Sequence, residues 1–166
     1  MQFANGKLDG PYERYEGGIL QEKLYYKEGK LHGLCEFYRD GKKFTEMPYE
    51  NGLPTGEVRL YAESGNIQTI MHYKNGKEHG PQHIYNEEGT IIARYNYYEG
   101  KKQGKSVLYY PTGEVLEEGS YNKGLKDGSF VTYYQNGNVN RVMHYKDDVL
   151  LELPLQFDHK GNELEP

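Results

Sequence analysis

The sequence predicts an all-β protein, a single elongated, twisted antiparallel meander of about seven β-hairpin repeats. Three observations carry this expectation. An aromatic-and-glycine pattern recurs every 23 to 24 residues along the whole chain. Between the glycines, apolar residues alternate with the period of two that belongs to strands. At a fixed offset in each repeat stands a dipeptide suited to a tight hairpin, as in Asn5-Gly6, Asn51-Gly52 and Asn75-Gly76. Self-similarity of this kind marks a repeat architecture, in which one hairpin cannot bury a face alone and neighbours supply the packing.

Each element follows from its place in the repeat. After a glycine such as Gly65 comes a strand-like stretch with apolar residues at even steps, Ile67, Met71 and Tyr73. It ends on the first aromatic rail: Phe3, Tyr26, Tyr49, Tyr73, Tyr97, Tyr121 and Tyr145. The hairpin dipeptide follows. Four residues beyond it a second glycine, at Gly10, Gly33, Gly56, Gly80, Gly104 and Gly128, opens a shorter strand such as Gly56–Tyr61. A glycine there predicts a bulge, or a ring lying over bare backbone. The shorter strand carries the second rail, Tyr15, Tyr38, Tyr61, Tyr85, Tyr109, Tyr133 and Phe157. A third glycine closes the unit, three residues after the rail in the first two repeats and four after it in the last five. One extra turn residue accounts for the lengthening from 23 to 24, because a strand register cannot slip by one without turning every side chain over.

The units read as roughly 1–18, 19–41, 42–65, 66–89, 90–113, 114–137 and 138–161 of one repeat domain, 1–166. Residues 146–166 form a degenerate C-terminal cap, with Asp148 and Glu152 in glycine places and Pro154 interrupting the strand. The pattern opens in mid-repeat at Phe3. Either upstream residues were removed together with an export signal, or the repeat starts there, so both a cytoplasmic and an exported location stay open.

Composition narrows the function. Leu, Ile, Val and Phe make only 33 of 166 residues, about a fifth, while tyrosine contributes 18. Rings with an apolar body and a polar tip suit a thin, half-wetted sheet better than a deep core. A net charge of −5 argues against nucleic acid and anionic membranes as partners. The histidines are absorbed by repeat position: His32 and His79 share one slot, His72 and His144 another. Gly80 and Pro81 separate His79 from His83, so no helix aligns them on a metal. Cys35 shares the slot of Val58 and Phe130 and reads as a packed side chain. No catalytic, metal or cofactor site is expected, and the chain reads as a non-enzyme. The rails themselves read as structural, with rings packing on neighbouring hairpins. A binding surface would use the variable positions between them, Arg59, His83, Val107 and Val131.

The spacing Tyr73-x-x-Gly76-Lys77-x-x-Gly80, followed by Tyr85-x-x-x-Gly89, resembles the bacterial variant of the MORN repeat (membrane occupation and recognition nexus), and Tyr97 to Gly113 and Tyr121 to Gly137 read the same way. The resemblance implies a MORN-like repeat sheet that serves as a protein-interaction or membrane-associated module. Bacterial proteins of this variant are often grouped as a YwqK-like antitoxin family. The expected partner is therefore another protein, with a toxin as its most specific version. Lipid association is the alternative, which the acidic charge disfavours.

Overall fold

The computed structural model describes residues 2–165, all in strands, turns and loops, in two compact units, Met1–His79 and Gly80–Pro166. Within each unit strands pair antiparallel with their neighbours in sequence, so each is a meander of hairpins. In the first, Gly56–Tyr61 runs along Ile67–Lys74, with Val58 opposite Met71 and Gly56 opposite Tyr73. In the second, Gly80–Tyr85 runs along Ile91–Tyr98, which pairs through Ala93 and Arg94 with Gly104–Tyr109.

The turns follow the residue chemistry. Asn75 and Gly76 have φ of 51° and 79°, the two positive values of a type I′ turn, and the chain folds back to pair Lys74 with Lys77. Asp147 and Asp148 adopt the same sign of φ, 48° and 67°, so the turn survives the loss of its glycine and Lys146 still pairs with Val149. At the other end of the hairpins, Glu16 pairs with Ile19 and Arg39 with Lys42 across two-residue turns. From the third repeat onward the connection is a three-residue loop. The Ala62 N–H donates to the Asn66 carbonyl and the Gly65 N–H to the Ala62 carbonyl, both at 2.9 Å. The residue that lengthens the period from 23 to 24 thus lies in this loop, and strand register is untouched.

At Gly33, Gly104 and Gly128 the second glycine of the repeat is needed for its backbone and not for a covering ring. Gly104 sits at φ 79°, in the left-handed region that side chains disfavour, yet a Cβ built on it meets nothing within 4 Å. Gly33 and Gly128 are equally open, which overturns the expectation of an overlying ring there.

Every long strand also carries a bulge. Register jumps past one residue, as at Gln68 between Ile67 and Thr69, and at Ile92, which no partner opposes as Ile84 and Tyr85 pair with Ala93 and Ile91. The bulge lets the segment near the loop and the segment near the turn each present the correct side. One face then carries the first aromatic rail and the small core: Cys35, Val58 and Phe130 are fully buried, with Thr45, Thr69, Ala93 and Ser106 nearly so. The other face carries the second rail. The hairpin tips add a bond set of their own, in which a turn N–H donates to a carbonyl of the preceding tip: Gly29 to Leu8, Gly52 to Leu31, Gly76 to Pro54, Gly124 to Lys102 and Asp148 to Lys126, at 2.7–3.0 Å.

The first face packs by complementary volumes. In the second unit Phe130 stands over Gly119, where an added Cβ would overlap its ring. Tyr121 and Tyr145 meet Phe130 edge-on, with ring centroids 5.5 and 5.4 Å away. Each such pair is worth about 0.5–1.5 kcal/mol beyond area burial. Lys126 lies 4.6 Å from the Phe130 ring centroid, and Lys102 lies 3.7 Å from that of Tyr95. Burial among these rings, with Lys126 nearby, pushes the Lys102 ammonium below its ordinary value.

Candidate interaction face

The four positions singled out between the rails occupy one slot, midway along the shorter strand, on the face of the second rail. Each belongs to a cross-strand row. In the first unit the row runs Glu13, Lys23, Glu36, Glu46, Arg59 and Ile70, each opposite the next. In the second it runs His83, Arg94, Val107, Glu118, Val131, Val142 and Leu155. Register brings Arg59 into the first row, and His83, Val107 and Val131 into the second.

Charge holds the first row. Lys43 Nζ lies 2.7 Å from Glu46 Oε2 and 3.1 Å from Glu36 Oε1, and Arg59 Nη1 donates to Glu46 Oε1 at 2.9 Å. Arg59 also reaches Glu57 through its second Nη. Burial pushes the Glu46 carboxyl up, but hydrogen bonds from Lys43, Tyr61 and Arg59 outweigh it and hold the group below its ordinary value. The Lys43 ammonium is held well above its usual value, by its hydrogen bond to Glu46 against the cost of burial. The Tyr61 hydroxyl is pushed up by burial and by its hydrogen bond to Glu46. So a second-rail tyrosine closes the network through its hydroxyl. Beside it Arg39, Lys42, Lys43, Phe44 and Tyr61 line a cavity of about 230 Å³, with Arg39 stacked 5.0 Å over the Phe44 ring.

The second row loses charge along its length. Arg94 stacks 5.5 Å over the Tyr109 ring, and Lys105 pairs with Glu118 at 2.8 Å. Val131, Val142 and Leu155 are then apolar without interruption. Leu155 also lines a groove of about 440 Å³ with Leu153, Pro154, Gln156, Glu163, Leu164 and Glu165. Sequence reasoning took residues 146–166 as a cap and missed this groove. One signal was legible: residues 147–166 hold six acids against one lysine, and so the whole net charge of −5.

The repeated histidine slots prove equivalent in space. The His32, Thr55, His79, Gln103 and Asp127 N–H groups each donate to the carbonyl seven residues earlier. His72 lies 3.8 Å from Glu57, and His144 lies 3.7 Å from Glu152. Cys35 is buried, and burial raises its thiol above the ordinary value.

Fold and face together define a β-hairpin repeat protein with constant rails and a variable row between them. Three stretches of it, residues 54–75, 102–123 and 126–147, match the family model described as MORN repeat variant, so the chain is similar to that repeat at those places. Each matched stretch runs from a tip strand through the second rail to the first, as in Pro54, Tyr61 and Tyr73. No curated protein matches the chain. Among solved structures, a chain in the crystal structure of accessory secretory protein 1, 2 and 3 in Streptococcus pneumoniae is 13% identical, with a TM-score of 0.33. The match covers 80% of this chain and 20% of that one, so this chain spans about a fifth of its length, and a likeness this slight carries no argument.

Proposed function

We propose that this protein is a non-catalytic repeat scaffold that binds another protein, and that the bound protein is a bacterial toxin which it restrains as an antitoxin or immunity partner. The observation that carries the scaffold reading is the row. Four structurally equivalent places hold Arg59, His83, Val107 and Val131, while the rails and turns around them stay constant. A regular frame that varies its chemistry at one repeated slot presents an extended, readable surface. The tyrosines of the second rail add large contact area at low entropic cost. The acidic balance suits a basic, nucleic-acid-attacking toxin.

Co-expression with a toxin encoded by a neighbouring gene tests the specific version. Restored growth is the expected result, and undiminished toxicity removes the antitoxin role. Sedimentation with anionic liposomes at low salt tests the lipid alternative, and the protein is expected to stay in the supernatant.

A further inference from the structure

Resting on the scaffold reading, we infer that the partner enters the second unit through an extended segment alternating apolar and basic residues, seated in the groove beneath Leu153 and Leu164. Three observations converge on this occupant.

The groove is lined both by leucines, at 153, 155 and 164, and by the carboxylates of Glu163 and Glu165. Its leucines are open to solvent in a chain of mean hydropathy −0.95: Leu153 is 80% exposed, and Leu155 and Leu164 are both 46% exposed. An exposed apolar patch marks an interaction site. Leu155 belongs both to the groove and to the row, so the apolar run Val131, Val142 and Leu155 continues into it.

Charge then selects the partner. Residues 147–166 carry the entire net −5, while the remainder balances nineteen cations against nineteen acids. An acidic segment would be repelled and a purely apolar one would leave the carboxylates uncompensated. A basic strand-like segment places its apolar side chains on the leucines and its cations against Glu163 and Glu165. A lipid surface fits worse, since its headgroups would face the same carboxylates.

The test uses fluorescein-labelled twelve-residue peptides, alternating Leu-Lys, Leu-Glu or Ser-Lys, titrated against the full chain by fluorescence anisotropy. The Leu-Lys peptide is expected to bind at least about ten-fold more tightly than either control. The paired variant L153S/L164S should lose about ten-fold, and E163Q/E165Q should flatten the salt dependence. Leu153 is so exposed that the melting temperature should barely move, which separates lost binding from lost folding. Equal binding of the Ser-Lys peptide, an unaffected leucine variant, or no binding at all overturns the inference. So does a dimer in sedimentation velocity that L153S/L164S dissociates, because the occupant is then a second copy. If a toxin is neutralised as well by L153S/L164S as by the native protein, the groove assignment fails while the scaffold reading stands. If nothing neutralises a toxin yet the Leu-Lys peptide binds, the reverse holds.

Discussion

The two units, 1–79 and 80–166, build the same bulged hairpins but stabilise them with different chemistry. The first unit threads its row with Glu36, Glu46 and Arg59, bridged by Lys43 from beside it, and fills its opposite face with Cys35, Val58, Thr45 and Thr69. The second leaves its row increasingly apolar and wedges Phe130 over Gly119. The difference teaches that the rails and glycines set the frame, and that the positions between them are free to be ionic or apolar. The first unit should therefore fail through charge and the second through volume.

The sharpest way to break the second unit is Gly119→Val. The branched side chain overlaps the Phe130 ring, and overpacking in a closed site should cost about 3 kcal/mol, read as a lower urea midpoint. Adding Phe130→Leu should recover part of that loss, and strict additivity of the two changes would show that the ring is not the obstacle. Next in size is the shared frame. Gly104→Val and Gly33→Val, at φ 79° and 73° and both with open space around an added Cβ, should each cost about 2 kcal/mol, one in each unit. Glu99→Ala should stay within about 0.5 kcal/mol. Unequal losses at the two glycines would mean that the units differ in backbone as well as in side chains.

Charge is the handle on the first unit. Glu46→Gln leaves Lys43 and Arg59 short of a partner, and with both cations partly solvated the cost should be about 1–2 kcal/mol. Because the folded protein holds the Glu46 carboxyl below its ordinary value, this contribution is intact above the unfolded carboxylate value and disappears as pH falls through the folded one. Hydrogen exchange followed down the pH scale should show protection lost in 42–61 before 128–145. Simultaneous loss would refute the contrast. The smallest effect is the row swap. Arg59→Val should cost about 1 kcal/mol, whereas Val131→Arg beside Glu118 should stay within about 0.5 kcal/mol in thermal melts.

Much of this was legible in the residues. The Asn-Gly dipeptides placed the turns, and arithmetic on Tyr61 and Gly65 placed the extra residue in a loop. Slot matching put Cys35 in the core with Val58 and Phe130. What stayed hidden depended on the bulges. A one-residue jump at Gln68 or Ile92 resets which side chains share a face, and nothing in those residues announces it. Without that reset the two rails cannot be assigned to opposite faces, nor can Arg59, Glu46 and Tyr61 be assembled into one network. The second glycines misled for a related reason: an open left-handed backbone and a ring-covered one call for the same residue. The groove escaped notice because Pro154 and the acids around it read as the blunting of an edge.

The bonds between successive hairpin tips have an evolutionary corollary. Since the donor at Gly52 meets Leu31 just as the donor at Gly124 meets Lys102, one repeat offers its successor the same docking geometry within each unit. Gene duplication or loss of a single unit therefore needs no newly invented junction, and a lineage can lengthen or shorten the readable row one slot at a time.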